Sequence, residues 1–340
     1  MNSKRQPSLT DLPAPPPGKV GWPWTEDGRL GAAASEPSAL WPRVTIVTPS
    51  FNQGRFLEET IRSVLLQGYP DLEYIVIDGK STDESVEIIE KYSPWLAHWE
   101  SERDRGQADA INKGFRRATG EFVNWLNSDD YFYPNALTET VEFLRQHPEV
   151  DFVYRDVDQG WSRDTTEPRR GEAITFPDMV RTLNVPIPQQ AALWRRATME
   201  RVGLLDPKWH VVLDREFFMR MGLHGTMRYV PGAVGFFRLH ADSKSIAEEQ
   251  HWVKELPTLY DEFFSRTDLP PAVVALKRES LSAAYIFCAR IARRHGRALE
   301  AMTWIAKAIA VHPRSVTKLT KWGPSQVFAE AAEFFRKPRG

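Results

Sequence analysis

From Val44 to Leu126, short β-branched runs alternate with stretches of helical periodicity, and that alternation leaves few folds open. Val44-Thr45-Ile46-Val47-Thr48 reads as a strand, which Pro49 is expected to end because proline cannot continue a central strand. Phe56, Leu57, Thr60, Ile61, Val64 and Leu65 then recur at helical spacing, with Gly68 and Pro70 as the stop. Tyr74-Ile75-Val76-Ile77 predicts a second strand, ending at Asp78-Gly79. Ser81 and Glu84 predict a capping box for a helix carrying Val86, Ile89 and Tyr92. A third strand is expected near Trp95 to Trp99, and Ala108, Ile111, Phe115 and Ala118 line the following helix. Phe122, Val123, Trp125 and Leu126 form a short buried strand that stops at Asn127-Ser128-Asp129-Asp130. The pattern predicts an α/β fold, a mostly parallel sheet flanked by helices on both faces.

Ligands of such sheets bind outside the carboxyl ends of the strands. The segments following the four strand ends are 49–54, 78–81, 104–109 and 127–130; all are polar and turn-forming, and three carry carboxylates. The fold needs turns there, but it does not need acids. Taken alone, Asp129 is most simply an N-cap and Asp130 a turn residue. Beside the other acidic loops, the pair suits a hard cation, Mn²⁺ or Mg²⁺, that shares oxygen ligands with substrate phosphates.

At 340 residues the chain accommodates one large domain and a smaller appendage. A net charge of −1 offers nothing to nucleic acid. The single cysteine, Cys288, excludes an internal disulfide. With no signal-like N-terminus and no long apolar run, the expectation is a cytoplasmic chain without a transmembrane segment. Residues 1–42 are rich in Pro, Gly, Ala and Ser and read as an irregular arm, with Trp22, Trp24 and Trp41 tucked against the domain.

In the second half, the prolines of Asn184-Val185-Pro186-Ile187-Pro188-Gln189-Gln190 predict an extended loop. Gln189 and Gln190 either pair with loop backbone or face a pocket. Val211-Val212-Leu213-Asp214 opens a helix with Phe217, Phe218 and Met221 on its apolar face, where Asp214 can serve as an N-cap. Beyond about Leu256 only helices are expected, with Ala298, Met302, Ile305 and Ile309 as a stripe. Tyr285, Ala289, Ala292 and Gly296 add a faint tetratricopeptide flavour, and a helical cap or homodimer contact fits this region. Arg290, Arg293, Arg294, Arg297 and the Arg336-Lys337 tail suit either peripheral contact with anionic lipid or solvated helix faces.

Four segments in order, Ile46 to Asn52, Ile77 to Asp83, Asp104 to Gly114 and Asn127 to Asp130, resemble family 2 glycosyltransferases. The resemblance runs to about residue 245. It implies a GT-A (Rossmann-like) fold with a C-terminal all-helical extension, and an inverting, metal-dependent transfer from a nucleotide sugar, UDP-sugar favoured. A glycan or lipid-linked acceptor in bacterial cell-surface polysaccharide assembly follows by analogy. It further implies a donor half over 43–150, an acceptor and catalytic half over 151–250, and helices over 255–340. Pro49 and Asn52 fall beside the nucleoside, and Asp78, followed by Gly79, is the acid that holds base or ribose. Asp104, Asp109 and Asn112 shape the donor pocket. Asn127-Ser128-Asp129 takes the place of the Asp-x-Asp metal motif, with Asp130 next to it. Gln189 and Gln190 fall near the acceptor. Asp214 matches the catalytic base, with Arg220 six positions on and Glu216 as its rival. Arg238 and His240 match a segment that touches diphosphate or metal. The sequence departs from the family at Asn127, at Leu213 where Glu is common, and at Lys80 where glycine is common.

Two other readings use the same residues. A nucleotidyltransferase would carry a Gly-rich, basic phosphate loop after the first strand, and 49–54 has neither a Gly-rich run nor a lysine. A catalytically silent sugar-nucleotide binder or scaffold fits the departures at Asn127 and Leu213.

Overall fold

In the computed structural model, residues 6–28, 41–183 and 187–315 are described. The chain divides into two compact units, one of 1–174 and 185–243, the other of 175–184 and 244–340. The expectations placed on 184–186 and on Arg336-Lys337 lie outside the described residues.

The first unit is built on one sheet. Its strands are β1 (Val44–Ser50), β2 (Leu72–Asp78), β3 (His98–Ser101), β4 (Phe122–Trp125), β5 (Tyr131–Phe132), β6 (Phe152–Gly160), β7 (Thr166–Arg169), β8 (Ala192–Arg195) and β9 (Met227–Arg238). Their order is β3-β2-β1-β4-β8-β6-β9-β5, with β7 paired to β6. β1 to β4 are mutually parallel, as the helical crossovers between them require. Past β4 the sheet is mixed. β8 runs antiparallel to both β4 and β6, β6 and β9 are parallel, and β7 folds back on β6. The mostly parallel expectation therefore holds for the first half and fails for the second, where the link over 161–165 is a tight turn too short for a crossover.

The helices of this unit are α1 (Gly54–Leu65), α2 (Ser85–Tyr92), α3 (Gln107–Arg117), α4 (Ala136–Gln146), α6 (Arg196–Val202) and α7 (Leu213–His224); α5 (Phe176–Arg181) belongs to the second. Side chains alternate across a strand. Val44, Ile46, Tyr74, Val76 and Phe122 accordingly share a core with Leu57 and Ile61 of α1 and Ile89 of α2. On the other face, a Cβ at Gly114 of α3 would strike Val47, and Phe115 meets Trp125 edge-on at 6.1 Å.

Three local expectations are corrected. Pro49 lies inside β1, opposite Ile77, because β4 pairs β1 only as far as Val47 and the strand has a single neighbour beyond it. The Ser81–Glu84 capping box does not form; Ser81 turns back to Asp78, and the helix begins at Ser85. The third strand starts three residues late, at His98, because Ser93–Trp95 first makes a 3₁₀ turn.

The Pro-rich arm is anchored by a buried charge. Arg62 of α1 is fully enclosed and donates to the carbonyls of Pro13, Pro23 and Trp24 and to the Tyr92 hydroxyl. Trp22, Trp24 and Trp41 are buried, and the Trp22 indole N–H donates to Phe132 O at 2.8 Å.

The second unit is helical: α5, α8 (Lys244–Ala247), α9 (Trp252–Ser265), α10 (Pro271–Val274), α11 (Lys277–Arg294) and α12 (Ala298–Val311). Tyr260 of α9 donates to Val180 O of α5 at 2.9 Å. Trp252 meets Phe287, and Tyr285 stacks on Trp304. The stripe read on α12 is corrected: Met302 is exposed, and Ala301 and Ala308 are the buried positions. A helix apolar on several sides does not betray its packed face by periodicity. Burial pushes the Cys288 thiol up to about 12, which leaves it unreactive.

Candidate active site

Because β1 to β4 are parallel, the loops that follow them share one edge of the sheet. The first two are stitched together. Gly79 N–H donates to Ser50 O, Asn52 N–H to Ser81 Oγ, Thr82 N–H to Asn52 Oδ1, and Gly54 N–H to Asp83 Oδ2, all at 2.8–2.9 Å. Asn52 and Lys80 both take left-handed backbone, φ 51° and 68°, a conformation asparagine tolerates best among residues with a Cβ. Asp78 is fully buried, and its carboxylate accepts from Ser81 N–H, Ser81 Oγ and Ser101 Oγ. It organises its own loop. Gly79 leaves room for Asp104, whose Oδ2 would lie 2.7 Å from a Cβ there. Ser50 Oγ and Gln53 Oε1 are buried without a hydrogen-bond partner among the described residues, so this corner holds polar capacity that the protein itself does not fill.

The third loop is closed by Asp104, which accepts from Gly106 N–H, and by Asp109, whose carboxylate is gripped by Arg105. That ion pair and its hydrogen bonds hold Asp109 below the usual carboxylate range. Asn112 points elsewhere: its amide pairs with both N–H and C=O of Leu205. Gln107 then donates to Asn127 Oδ1 at 2.8 Å, tying the third loop to the fourth.

The fourth loop is held from three sides. Thr60 Oγ1 of α1 lies 2.9 and 2.6 Å from the carbonyl oxygens of Ser128 and Asp130. Arg238, at the end of β9, donates its backbone N–H to Asp130 Oδ1, its Nε to Asp129 O, and its Nη2 to Glu59. Gln190 reaches Asp130 Oδ2 at 3.4 Å. Asp130 is thus enclosed, and burial, with the neighbouring Asp129 charge, pushes its carboxyl well above the usual range. Asp129 faces outward to His240, with Oδ2 and Nε2 2.9 Å apart.

That separation is the length of an ordinary hydrogen bond, and it also equals the spacing of two adjacent ligands of an octahedral ion with bonds of about 2.1 Å. Among the described residues, no three His, Cys, Asp or Glu side chains gather around one point.

An aromatic cluster anchors the helix that carries Asp214 against β4. Trp125 at the end of β4 packs on Trp194, Phe217 and Phe218, the last two on α7. Asp214 sits in the first turn of that helix, whose N-cap is Val212. Desolvation raises its pKa, against the backbone N–H of Arg215 and the charges of Arg215 and Arg169. The charges of Asp214 and Asp130 both favour the charged form of Arg169, at the end of β7. Glu216 is engaged in a different task. It pairs with Arg220 at 2.7 and 2.8 Å, and Arg220 clamps the carbonyls of Val202, Gly203 and Leu204. Gln189 donates to Asn124 Oδ1 and Trp125 O. Both glutamines therefore brace β4 and its loop.

Arg55, Glu59, Arg163 and Arg169 escaped the sequence reading. Glu59 is buried between Arg238 and Arg163. Arg55 did carry a signal, because a basic residue in the first turn of a helix opposes the macrodipole. It donates to His240 Nδ1 at 2.9 Å and to Asp242 at 2.8 Å. Arg169 lies in a charged stretch without periodicity, where nothing distinguishes it.

The sheet, parallel in its first half and mixed in its second, matches the GT-A fold, as the comparisons with known proteins show. The Glycosyl transferase family 2 pattern matches residues 45–206. An uncharacterized glycosyltransferase of Mycobacterium tuberculosis is 30% identical over 187 residues, 54% of this chain and 70% of the relative. A PGL/p-HBAD biosynthesis glycosyltransferase of Mycobacterium bovis is 27% identical, covering 64% of this chain and 84% of its own. Among solved structures, S. aureus TarS 1–349 superposes with a TM-score of 0.60 at 19% identity, covering 82% of this chain and 83% of that one. Mannosyltransferase PcManGT from Pyrobaculum calidifontis, in complex with GDP-Man and Mn²⁺, gives 0.54 at 19% identity, covering 84% and 90%. The chain belongs to glycosyl transferase family 2 and is a glycosyltransferase. Among the described residues, no helix is long and apolar enough to cross a membrane.

Proposed function

We propose that this enzyme moves a sugar from a nucleotide diphosphate donor, UDP-sugar in the first instance, to an acceptor hydroxyl with inversion at the anomeric carbon. What supports this reading is the row of strand-end loops stitched together along one edge of the parallel strands, with Asp129 and His240 2.9 Å apart at the end of that row, in a chain of glycosyl transferase family 2.

Asp129 and His240 would hold Mn²⁺ or Mg²⁺, which, when bound, neutralises charge on the departing diphosphate. The stitched loops bearing Pro49, Asn52, Asp78 and Gly79 form a preshaped floor for the nucleoside, with Ser50 Oγ and Gln53 Oε1 as its open polar atoms. Asp104, Asp109 and Ser128 lie in the loops that continue that floor, and Asn112 braces it from behind through Leu205. Arg238 secures the fourth loop, and Asp130 holds it from within. Asp214 takes the proton of the attacking hydroxyl; its raised pKa brings it nearer the operating pH, where a general base is most effective. Attack by the hydroxyl as the diphosphate leaves inverts the centre in one displacement, so no residue need form a covalent intermediate. Gln189, Gln190 and Glu216 support the acceptor side through β4 and the 202–204 loop.

Glycan or lipid-linked acceptors are the class to examine, since the M. bovis relative is named for PGL/p-HBAD biosynthesis. The enzyme is to be screened against nucleotide sugars with Mn²⁺, reading nucleotide diphosphate release and the anomeric configuration of the product by NMR. A retained anomeric configuration, or no turnover with any nucleotide sugar, overturns this reading.

A further inference from the structure

We infer that the end of the α11–α12 hairpin is a docking surface for an anionic lipid bilayer. The inference concerns the helical unit alone and does not depend on the reaction proposed above. Ala301 and Ala308 are the buried positions of α12. Leu299, Met302, Ala306 and Ala310 recur at helical spacing on the opposite side and are exposed, Leu299 at 82% and Met302 at 65%. Thr303 lies among them, and its hydroxyl is turned onto Leu299 O at 2.9 Å. The one charged residue exposed on this helix is Lys307. A surface helix ordinarily turns a charged face to solvent. This one turns an apolar face outward, and such a face marks an interaction site.

The charges around it select the partner. α11 ends in Arg293 and Arg294, and the short turn over 295–297 brings them to the end of the hairpin that bears Leu299. Arg294 pairs with Glu249 and Arg297 with Glu300, whereas Arg293 is exposed and meets no acid among the described residues. From Arg290 to Ser315 the chain holds six Lys and Arg against one acid, Glu300, in a protein of net charge −1. A second copy joined through this face would set basic groups against basic groups whichever way the helices ran, because Arg314 lies beyond the far end of α12. An anionic bilayer satisfies both features together. Lipid phosphates attract the arginines, and Leu299 and Met302 enter the boundary between headgroups and acyl chains. Among the described residues no helix is long and apolar enough to cross the bilayer, so the contact lies at its surface.

The test is sedimentation of the full chain with vesicles of phosphatidylcholine mixed with phosphatidylglycerol, and with vesicles of phosphatidylcholine alone. Binding is expected to the mixed vesicles, well above that to the neutral ones, and to fall with added salt. The double variant Arg293→Gln, Arg294→Gln should weaken it about fivefold for each arginine removed. The double variant Leu299→Gln, Met302→Gln should weaken it at least about tenfold. All four side chains are at the surface, so both variants should melt with the wild type by circular dichroism. No binding, equal binding to the two kinds of vesicle, or binding that either double variant leaves unchanged overturns the inference. If the apolar variant instead turns a dimer into a monomer by light scattering while vesicle binding stays, the face joins copies of this chain and the lipid surface is wrong. None of these outcomes bears on the transfer reaction, which is read with nucleotide sugars in the absence of vesicles.

Discussion

The backbone N–H of Arg238 donates to Oδ1 of Asp130 at 2.9 Å, so the last residue of β9 holds the buried carboxyl of the β4 loop. That carboxyl is pushed well above the ordinary range by burial and by Asp129. The folded state therefore holds its proton more tightly than the unfolded chain, and the wild type loses stability as pH rises through the raised value. Asp130→Asn keeps an oxygen for Arg238 and sheds the penalty. Its melting temperature relative to the wild type should climb between pH 5 and pH 8, by about 2 °C or more. A constant difference across that range would show that the carboxyl does not titrate there.

Asp214→Asn should lower the rate of transfer by about 10²–10⁴ while leaving UDP affinity within about twofold. Calorimetry and steady-state kinetics separate the two. Retained turnover removes Asp214 as the base.

Arg169 favours the charged form of Asp214. Removing that cation in Arg169→Gln should raise the Asp214 pKa further. If Asp214 is the base, the acid limb of the kcat/KM profile should then move to higher pH. An unmoved limb would assign it to another group.

Asp129→Ala should weaken Mn²⁺-dependent UDP binding at least about tenfold, since loss of a direct ligand exceeds the effect of an outer partner. Unchanged binding in a titration of the variant would exclude Asp129 as a ligand.

Arg62→Met keeps most of the side-chain volume but strands the carbonyls of Pro13, Pro23 and Trp24. Chemical denaturation should show a loss of roughly 3 kcal/mol or more, since each buried unpaired acceptor costs about 1–3 kcal/mol. A loss under about 1 kcal/mol would mean that water replaces the guanidinium.

The first half of the sheet was legible because β1 and β2 are β-branched runs, each bounded by a turn and followed by a helix. The strand-end acids were legible for the same reason: a polar cluster after an apolar run declares its edge. The second half was not. β8 is four residues entered from a 3₁₀ turn, and β7, with the pattern Thr-Glu-Pro-Arg, is wholly exposed and has no apolar face to announce it. At the site, the motif residues could be named but their tasks could not. Asn112 and Gln189 turn out to spend their amides on the scaffold, a matter of side-chain direction that spacing does not reveal. Asp130 and Asp129 are adjacent in sequence, yet one is enclosed and the other faces His240.

Arg62 changes what the Pro-rich arm is. A guanidinium keeps its charge at any pH a protein survives, so every folded copy must supply oxygens around it, and three of them are main-chain carbonyls of the arm. Main-chain carbonyls come from any residue type, so the requirement constrains the path of 13–24 far more than its composition. A stretch with the make-up of a tether can drift in sequence and still serve as a fixed wall of the enzyme. Alignments that score residue identity would pass over it, whereas its removal would open the core at α1.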